Sequence, residues 1–254
     1  MRTTVMVSVE EGVGRMVLNH PPLNILTREV LAYMRSELER LSGESALRAL
    51  VISAKGKHFS AGADVSEHMA PEYREMIPEF IATVSAIDEF PLPVIAAVHG
   101  KCLGGAFELV QAVDIVVAGQ NAVFGQPEIA LGVLPPAACV FLPELCPRGA
   151  AAEIVFTGNS ISAKTAERFG VVDRVVSDGS VEGEALTLAK SIARHSGAAL
   201  RLAKRALRKG SPSTRGAALS RVGDLYVRDL MATHDAVEGL DAFAEKRQPA
   251  WSHS

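Results

Sequence analysis

Cysteine is scarce in this sequence. Cys102, Cys139 and Cys146 are the only three; they cannot all pair within one chain, and their spacings match no zinc-site pattern. This excludes a disulfide framework and makes a reducing cytoplasm the expected compartment. No window of about 18 apolar residues is free of charge, so no membrane-spanning helix is expected. The opening MRTTVMVSVEEG alternates apolar and polar residues and lacks the apolar run of a signal peptide. A formal charge of −3 gives no global pull toward nucleic acid or anionic membrane. Nucleotide and acyl-serine motifs are missing too: there is no G-x-G-x-x-G, no P-loop and no G-x-S-x-G elbow. The seven histidines fall at no metal-like spacing, so no metal site is expected and they read as hydrogen-bonded structural residues.

What the chain does have is core. At 254 residues, 48% of them hydrophobic, it can bury a large interior. Residues 4–9 and 13–18 read as two strands joined at Glu11-Gly12. Thr27 can cap a helix over REVLAYMRSELERL, and a strand follows from Leu47 to Ser53. After the loop AKGKHFSAGADVSEH, a helix is predicted between Pro71 and Phe90, then a buried strand at Val94–Val98 bounded by Pro93 and Gly100. Another helix is predicted from near Gly104, then strands at Asp114–Ala118 and Val171–Val176. Strands alternating with helices specify an α/β architecture. From Gly183 onward the signal is helical, over 183–195, 198–209, 214–232 and 234–245, with breaks at Gly197, Gly210-Ser211-Pro212 and Thr233. The expected division is a core of residues 1–195 and a helical region of 196–254, packed on that core or on a neighbouring subunit.

Three segments could carry chemistry. In HGKCLGGAFELVQAVDI, Gly104-Gly105 follows a buried strand and opens a helix whose first amides have no helical partner. Such amides can stabilise an anion forming on a substrate oxygen. Glu108, one turn further, can face the same cavity. In KHFSAGADVSEH, Gly62 between Ala61 and Ala63 allows close backbone approach, so the two loops can each lend one amide to a two-donor oxyanion hole. In FGQPEIALGVLPPAA, Glu128 has mostly apolar neighbours and is either a surface group or a buried carboxylate with a raised pKa. Glu108 and Glu128 thus form a candidate acid/base pair. In RLAKRALRKG, Arg201, Lys204, Arg205, Arg208 and Lys209 recur at helical spacing and read as one basic face, either solvated or contacting phosphate.

Together, HFSAGADVSE, AAVHGKCLGGAFELVQAVDIVVA, FGQPEIALGVLP, the stretch from Ala166 containing GVVDRVV, and FAEKRQPAW resemble the enoyl-CoA hydratase/isomerase (crotonase) family. The resemblance implies a spiral of strand-strand-helix turns with C-terminal helices that build homotrimers, often paired as homohexamers. It implies an acyl-CoA substrate and no cofactor, since coenzyme A is part of that substrate. By position, Ala63 and Gly105 would supply the oxyanion-hole amides, and Glu108 and Glu128 the two hydratase carboxylates. Leu23, Ala61, Gly62, Asp64, Val65, Gly104, Pro135, Phe243 and Lys246 fall where substrate or CoA would bind.

The sequence departs from the family pattern at Leu23 and Ser66, where basic residues are common. It departs again at LPPAACVFLPEL, which replaces a glycine-rich segment; Lys246, Arg247 or the basic face are the alternative phosphate contacts. PPLNILT, FSAGADVSEH and GVLPPAA resemble the cyclohexa-1,5-dienecarbonyl-CoA hydratase branch. The expected activity is hydration of an α,β-unsaturated acyl-CoA, with a linear or a cyclic dienoyl group. An isomerase and, in a different class, a non-catalytic RNA-binding or assembly scaffold stay open as alternatives; membrane and nucleic-acid partners are not expected.

Overall fold

A computed structural model of the protein describes residues 4–209 and 215–252. Strands β1 (Val5–Glu10) and β2 (Val13–Leu18) form an antiparallel hairpin. Its two turn residues, Glu11 and Gly12, both have positive φ, as the right-handed twist of a two-residue hairpin requires. Helix α1 (Arg28–Ser42) starts where the Thr27 hydroxyl accepts from the Val30 amide at 3.3 Å. Strand β3 (Ala49–Ala54) then pairs parallel to β2.

After α2 (Tyr73–Asp88), strands β4 (Val94–Val98), β6 (Ile115–Gly119) and β9 (Arg174–Val176) extend the sheet in the order β1-β2-β3-β4-β6-β9. Parallel strands covered on both faces need continuous apolar sequence, and every residue of β4 is buried. One face packs on α1 and α2 around Met34, Leu38, Phe80 and Ile87. The other packs on α7 (Val181–Ala193), where Ala185 and Ala189 lie against Val51, Ile95 and Val117.

A smaller sheet joins β5 (Lys101–Leu103), β7 (Val123–Gly125) and β8 (Ile161–Ser162) in that order. These strands are too short to show alternation, which is why the sequence does not announce them. Between and after them run α3 (Gly105–Gln111), a 3₁₀ turn at Pro127–Leu131, α4 (Ala138–Leu145), α5 (Arg148–Thr157) and α6 (Ala163–Phe169).

The strand expected at Val171–Val176 is confined to Arg174–Val176. Val171 and Val172 are instead buried in the turn that closes α6, their amides donating to Ala166 O at 2.9 and 3.3 Å. The C-terminal helices are α8 (Gly197–Lys209), α9 (Arg215–Arg228) and α10 (His234–Ala244). Helix α9 packs on α2 and α4, and α10 packs on the Pro127–Leu131 turn. No helix among the described residues is long and apolar enough to cross a membrane.

Candidate active site

The two glycine-bearing loops meet at the carboxyl ends of the parallel strands, where open α/β sheets bind ligands. In the first, Ala61 donates to Leu23 O at 2.9 Å, Gly62 to Ser60 Oγ at 3.1 Å and Asp64 to Leu26 O at 3.2 Å. The Ala63 amide between them has no protein acceptor among the described residues. In the second, Gly104 donates to Gly125 O at 2.9 Å, and the next amide, Gly105, is likewise unpaired. The loops touch: a β-carbon on Gly105 would lie 3.4 Å from Ala63 Cβ. Two free N–H groups on adjoining loops are the arrangement that can hold an oxyanion.

Two carboxylates face the same cavity of about 70 Å³. Glu108, on α3, is 2% exposed, and its Oε1 accepts from the Ala137 and Ala138 amides at 2.7 and 2.9 Å. It therefore supplies the cap that the start of α4 lacks in its own sequence. Burial raises its pKa to about 7, against the lowering effect of those two amides. Glu128 stands in the Pro127–Leu131 turn and is raised well above the carboxylate range, first by burial and then by the charge of Glu108. Neighbouring acids whose surroundings push them to different degrees can divide the roles of base and acid.

Behind Glu128 lies a buried amide pair. Gln126 meets only like partners unless its nitrogen faces Glu128; so turned, it donates to Oε2 and Oε1 at 3.1 and 3.2 Å, and its oxygen accepts from Gln111 Nε2 at 2.8 Å. The sequence reading passed over Gln126, although it stands two residues before Glu128 in FGQPE. It also passed over His68, which lines the cavity with its Nδ1 2.9 Å from Asp64 O; this histidine belongs to the pocket, not to a purely structural set. The remaining wall is apolar, with Met76, Ile77, Phe80, Leu131 and Val133. Cys139 holds its proton, its thiol pushed up to about 11 by burial and the two glutamates. Among the described residues, no group of three His, Cys, Asp or Glu side chains could hold a metal ion.

A family model of enoyl-CoA hydratase/isomerase matches residues 8–254. The chain belongs to the enoyl-CoA hydratase/isomerase family. It is 39% identical to cyclohexa-1,5-dienecarbonyl-CoA hydratase of Thauera aromatica over 240 residues, covering 94% of this chain and 92% of that one. It is 36% identical to 2,3-dehydroadipyl-CoA hydratase of Escherichia coli over 251 residues, covering 96% and 97%. The crystal structure of an enoyl-CoA hydratase/isomerase from Pseudoalteromonas atlantica superposes with a TM-score of 0.90 at 29% identity, over 98% of this chain and all of that one. The expected crotonase-like α/β spiral is the fold found.

Of the positions singled out by the family resemblance, Ala61, Gly62, Ala63, Val65, Gly104, Gly105, Glu108 and Glu128 line this one cavity. The others stand apart from its lining. Leu23 is 41% exposed and contributes its carbonyl to the Ala61 loop. Asp64 caps the turn at Val65–His68 through Ser66. Pro135 is buried, its carbonyl accepting from Cys139, while Phe243 and Lys246 are exposed around the end of α10.

The basic residues of α8 do not all share one exposed face. Lys204 is buried, donating to Leu92 O at 2.8 Å and pairing with Asp114, and Arg201 reaches Ser42 O at 3.3 Å. Arg205 is exposed, and the side chains of Arg208 and Lys209 lie outside those described. Arg247 is taken up by Glu238 and Glu245. The identical spacing of these cations concealed which of them turns inward.

Proposed function

We propose that the protein is an enoyl-CoA hydratase that adds water across the double bond of an α,β-unsaturated acyl-CoA, with a cyclic dienoyl group as the preferred acyl part. The observation carrying the reading is the pair Glu108 and Glu128 in one cavity beside the unpaired amides of Ala63 and Gly105.

Conjugation makes the β-carbon electrophilic, and the charge that builds on the thioester oxygen is met by the two amides. Glu108, kept toward the ionised form by its two backbone donors, orients the water and takes its proton. Glu128, the more strongly raised acid, delivers a proton to the α-carbon. The product carries hydrogen from Glu128 and hydroxyl from water, and a proton passing from Glu108 to Glu128 resets the pair. No cofactor takes part beyond the coenzyme A of the substrate.

The cyclic preference rests on the likeness to the Thauera enzyme and on the broad apolar wall of Met76, Phe80 and Leu131. The test offers crotonyl-CoA and cyclohexa-1,5-dienecarbonyl-CoA side by side, followed by loss of absorbance and by the mass gain of one water. Turnover of the cyclic diene with weak crotonyl-CoA hydration is expected. Fast crotonyl-CoA turnover alone assigns a linear substrate, and turnover of neither removes the hydratase reading.

The free cysteines suit a reducing cytoplasm, and the exposed Phe156 and Leu207 suit assembly into trimers or hexamers. Light scattering on the purified protein measures the assembly.

A further inference from the structure

Of the residues that line the cavity, three alone have a side-chain nitrogen or oxygen: Glu108, Glu128 and His68. The hydration scheme uses both glutamates and gives the histidine no part. Its tautomer is fixed by a hydrogen bond. Nδ1 lies 2.9 Å from the backbone oxygen of Asp64, which can only accept, so Nδ1 carries the ring proton and donates it. Burial pulls the imidazole below its ordinary pKa, against the raising effect of the Asp64 carbonyl and carboxylate, so the ring stays neutral and Nε2 keeps its lone pair. Nε2 has no partner among the described residues, and it is not one of the buried polar atoms sealed from water. Such an acceptor on a hydrocarbon wall weakens the binding of any ligand that covers it without donating to it.

Its position indicates which part of a ligand it meets. The turn at Val65–His68 packs on α2, whose Met76 and Ile77 line the same cavity, whereas the glutamates come from α3 and the Pro127–Leu131 turn. A thioester with its carbonyl at Ala63 and Gly105 places its double bond by the glutamates. The polar needs of the reaction are met there, by two amides for the oxygen and two carboxyl groups for the water. The rest of the acyl group is left to the wall that α2 and His68 supply.

We propose that His68 is a specificity-determining residue: its Nε2 accepts a hydrogen bond from a hydroxyl that the acyl group carries beyond the β-carbon, so that hydroxylated enoyl thioesters are taken ahead of their plain counterparts. The inference rests on the hydratase reading and deepens it, since a ring or a chain can bear such a hydroxyl. A plain acyl group strips water from Nε2 and returns nothing, while a hydroxyl restores the bond. A terminal carboxylate has no proton to donate and turns negative charge toward the lone pair, so it is disfavoured.

Calorimetry with saturated thioesters, which bind without reacting, tests this apart from hydration. Hexanoyl-CoA is compared with 4-, 5- and 6-hydroxyhexanoyl-CoA and with adipyl-CoA. Crotonyl-CoA turnover, measured alongside, reports on the hydratase reading by itself. At least one hydroxy ligand should bind wild type about tenfold more tightly than hexanoyl-CoA, and adipyl-CoA should bind more weakly. His68→Phe keeps a flat ring and removes the acceptor; there the hydroxyl preference should shrink to within about twofold, with hexanoyl-CoA bound equally well or better. Nitrogen NMR of isotope-labelled histidine in the wild type gives a reading that needs no variant. The unprotonated nitrogen of His68 should move toward the hydrogen-bonded position with the preferred hydroxy ligand, and away from it with hexanoyl-CoA, which displaces water.

Equal binding of hexanoyl-CoA and every hydroxy ligand, tightest binding of adipyl-CoA, or a hydroxyl preference that survives in His68→Phe overturns the inference. So does failure to bind any of these thioesters. If His68→Phe does not fold, the NMR shift decides, and no response to any hydroxy ligand overturns the inference as well. A hydroxyl preference without crotonyl-CoA turnover removes the hydratase reading alone and keeps His68 as the selector in another acyl-CoA reaction.

Discussion

Gly104 lies so close beneath Glu128 that a β-carbon there would sit 2.8 Å from Glu128 Oε1. Its backbone, at φ 53° and ψ −134°, is one that glycine alone adopts without strain. Gly104→Ala should therefore displace the carboxylate and strain the turn together. The expected result is a stability loss of about 1–3 kcal/mol in urea unfolding, with a larger proportional loss of kcat. Full turnover would show that the carboxylate needs no such support.

Glu128→Gln keeps the shape of the side chain and removes its transferable proton. Turnover should fall by several orders of magnitude while KM changes little, the pattern of an interaction made in the transition state. Because a strongly desolvated acid is replaced by a neutral group, Tm above pH 7 should hold or rise. Near-normal kcat would end the assignment of Glu128 as the acid.

Glu108 predicts two pH dependences. It must be ionised to accept a proton, so kcat/KM should rise through a pKa of about 7, then fall at higher pH as Glu128 loses its proton. Stability moves the other way. An unfolded glutamate titrates near 4.5, whereas the folded one holds its proton until about 7, so the native state binds more protons across that window. Stability is thus lost as pH rises from 4.5 to about 7, and Glu108→Gln should flatten that slope in thermal melts. An equal slope in the variant would place the titration elsewhere.

Lys204→Met tests the reassignment of the basic helix. Removing the cation leaves Asp114 facing an apolar side chain, which should cost about 2–3 kcal/mol of stability, moderated because Asp114 is 28% exposed. KM for acyl-CoA should not change. A raised KM with unaltered stability would return this lysine to phosphate binding.

Legibility in the sequence followed the range of the interaction. The β1–β2 hairpin, the Thr27 cap, β4 and both glycine loops are specified by residues a few positions apart, and each was readable. So were Glu108 and Glu128 as a candidate pair, though their shared cavity depends on folding. Lys204 was misread because periodicity places it with Arg201 and Arg205, whereas Leu92 O and Asp114, 90 residues earlier, draw it inward. Val171 and Val172 have strand-like composition, yet they close a helix because Ala166 O is available to their amides.

The packing of α9 on α2 and α4 also bears on how a cell must make this molecule. A ribosome releases α2 and α4 well before it has translated the helix that packs on both. During that interval the nascent chain exposes the faces of α2 and α4 that α9 will cover, the kind of surface that chaperones engage and that drives aggregation. A message truncated ahead of α9 should accordingly yield insoluble polypeptide, not a weakened enzyme, even though both glutamates and both glycine loops have already been translated.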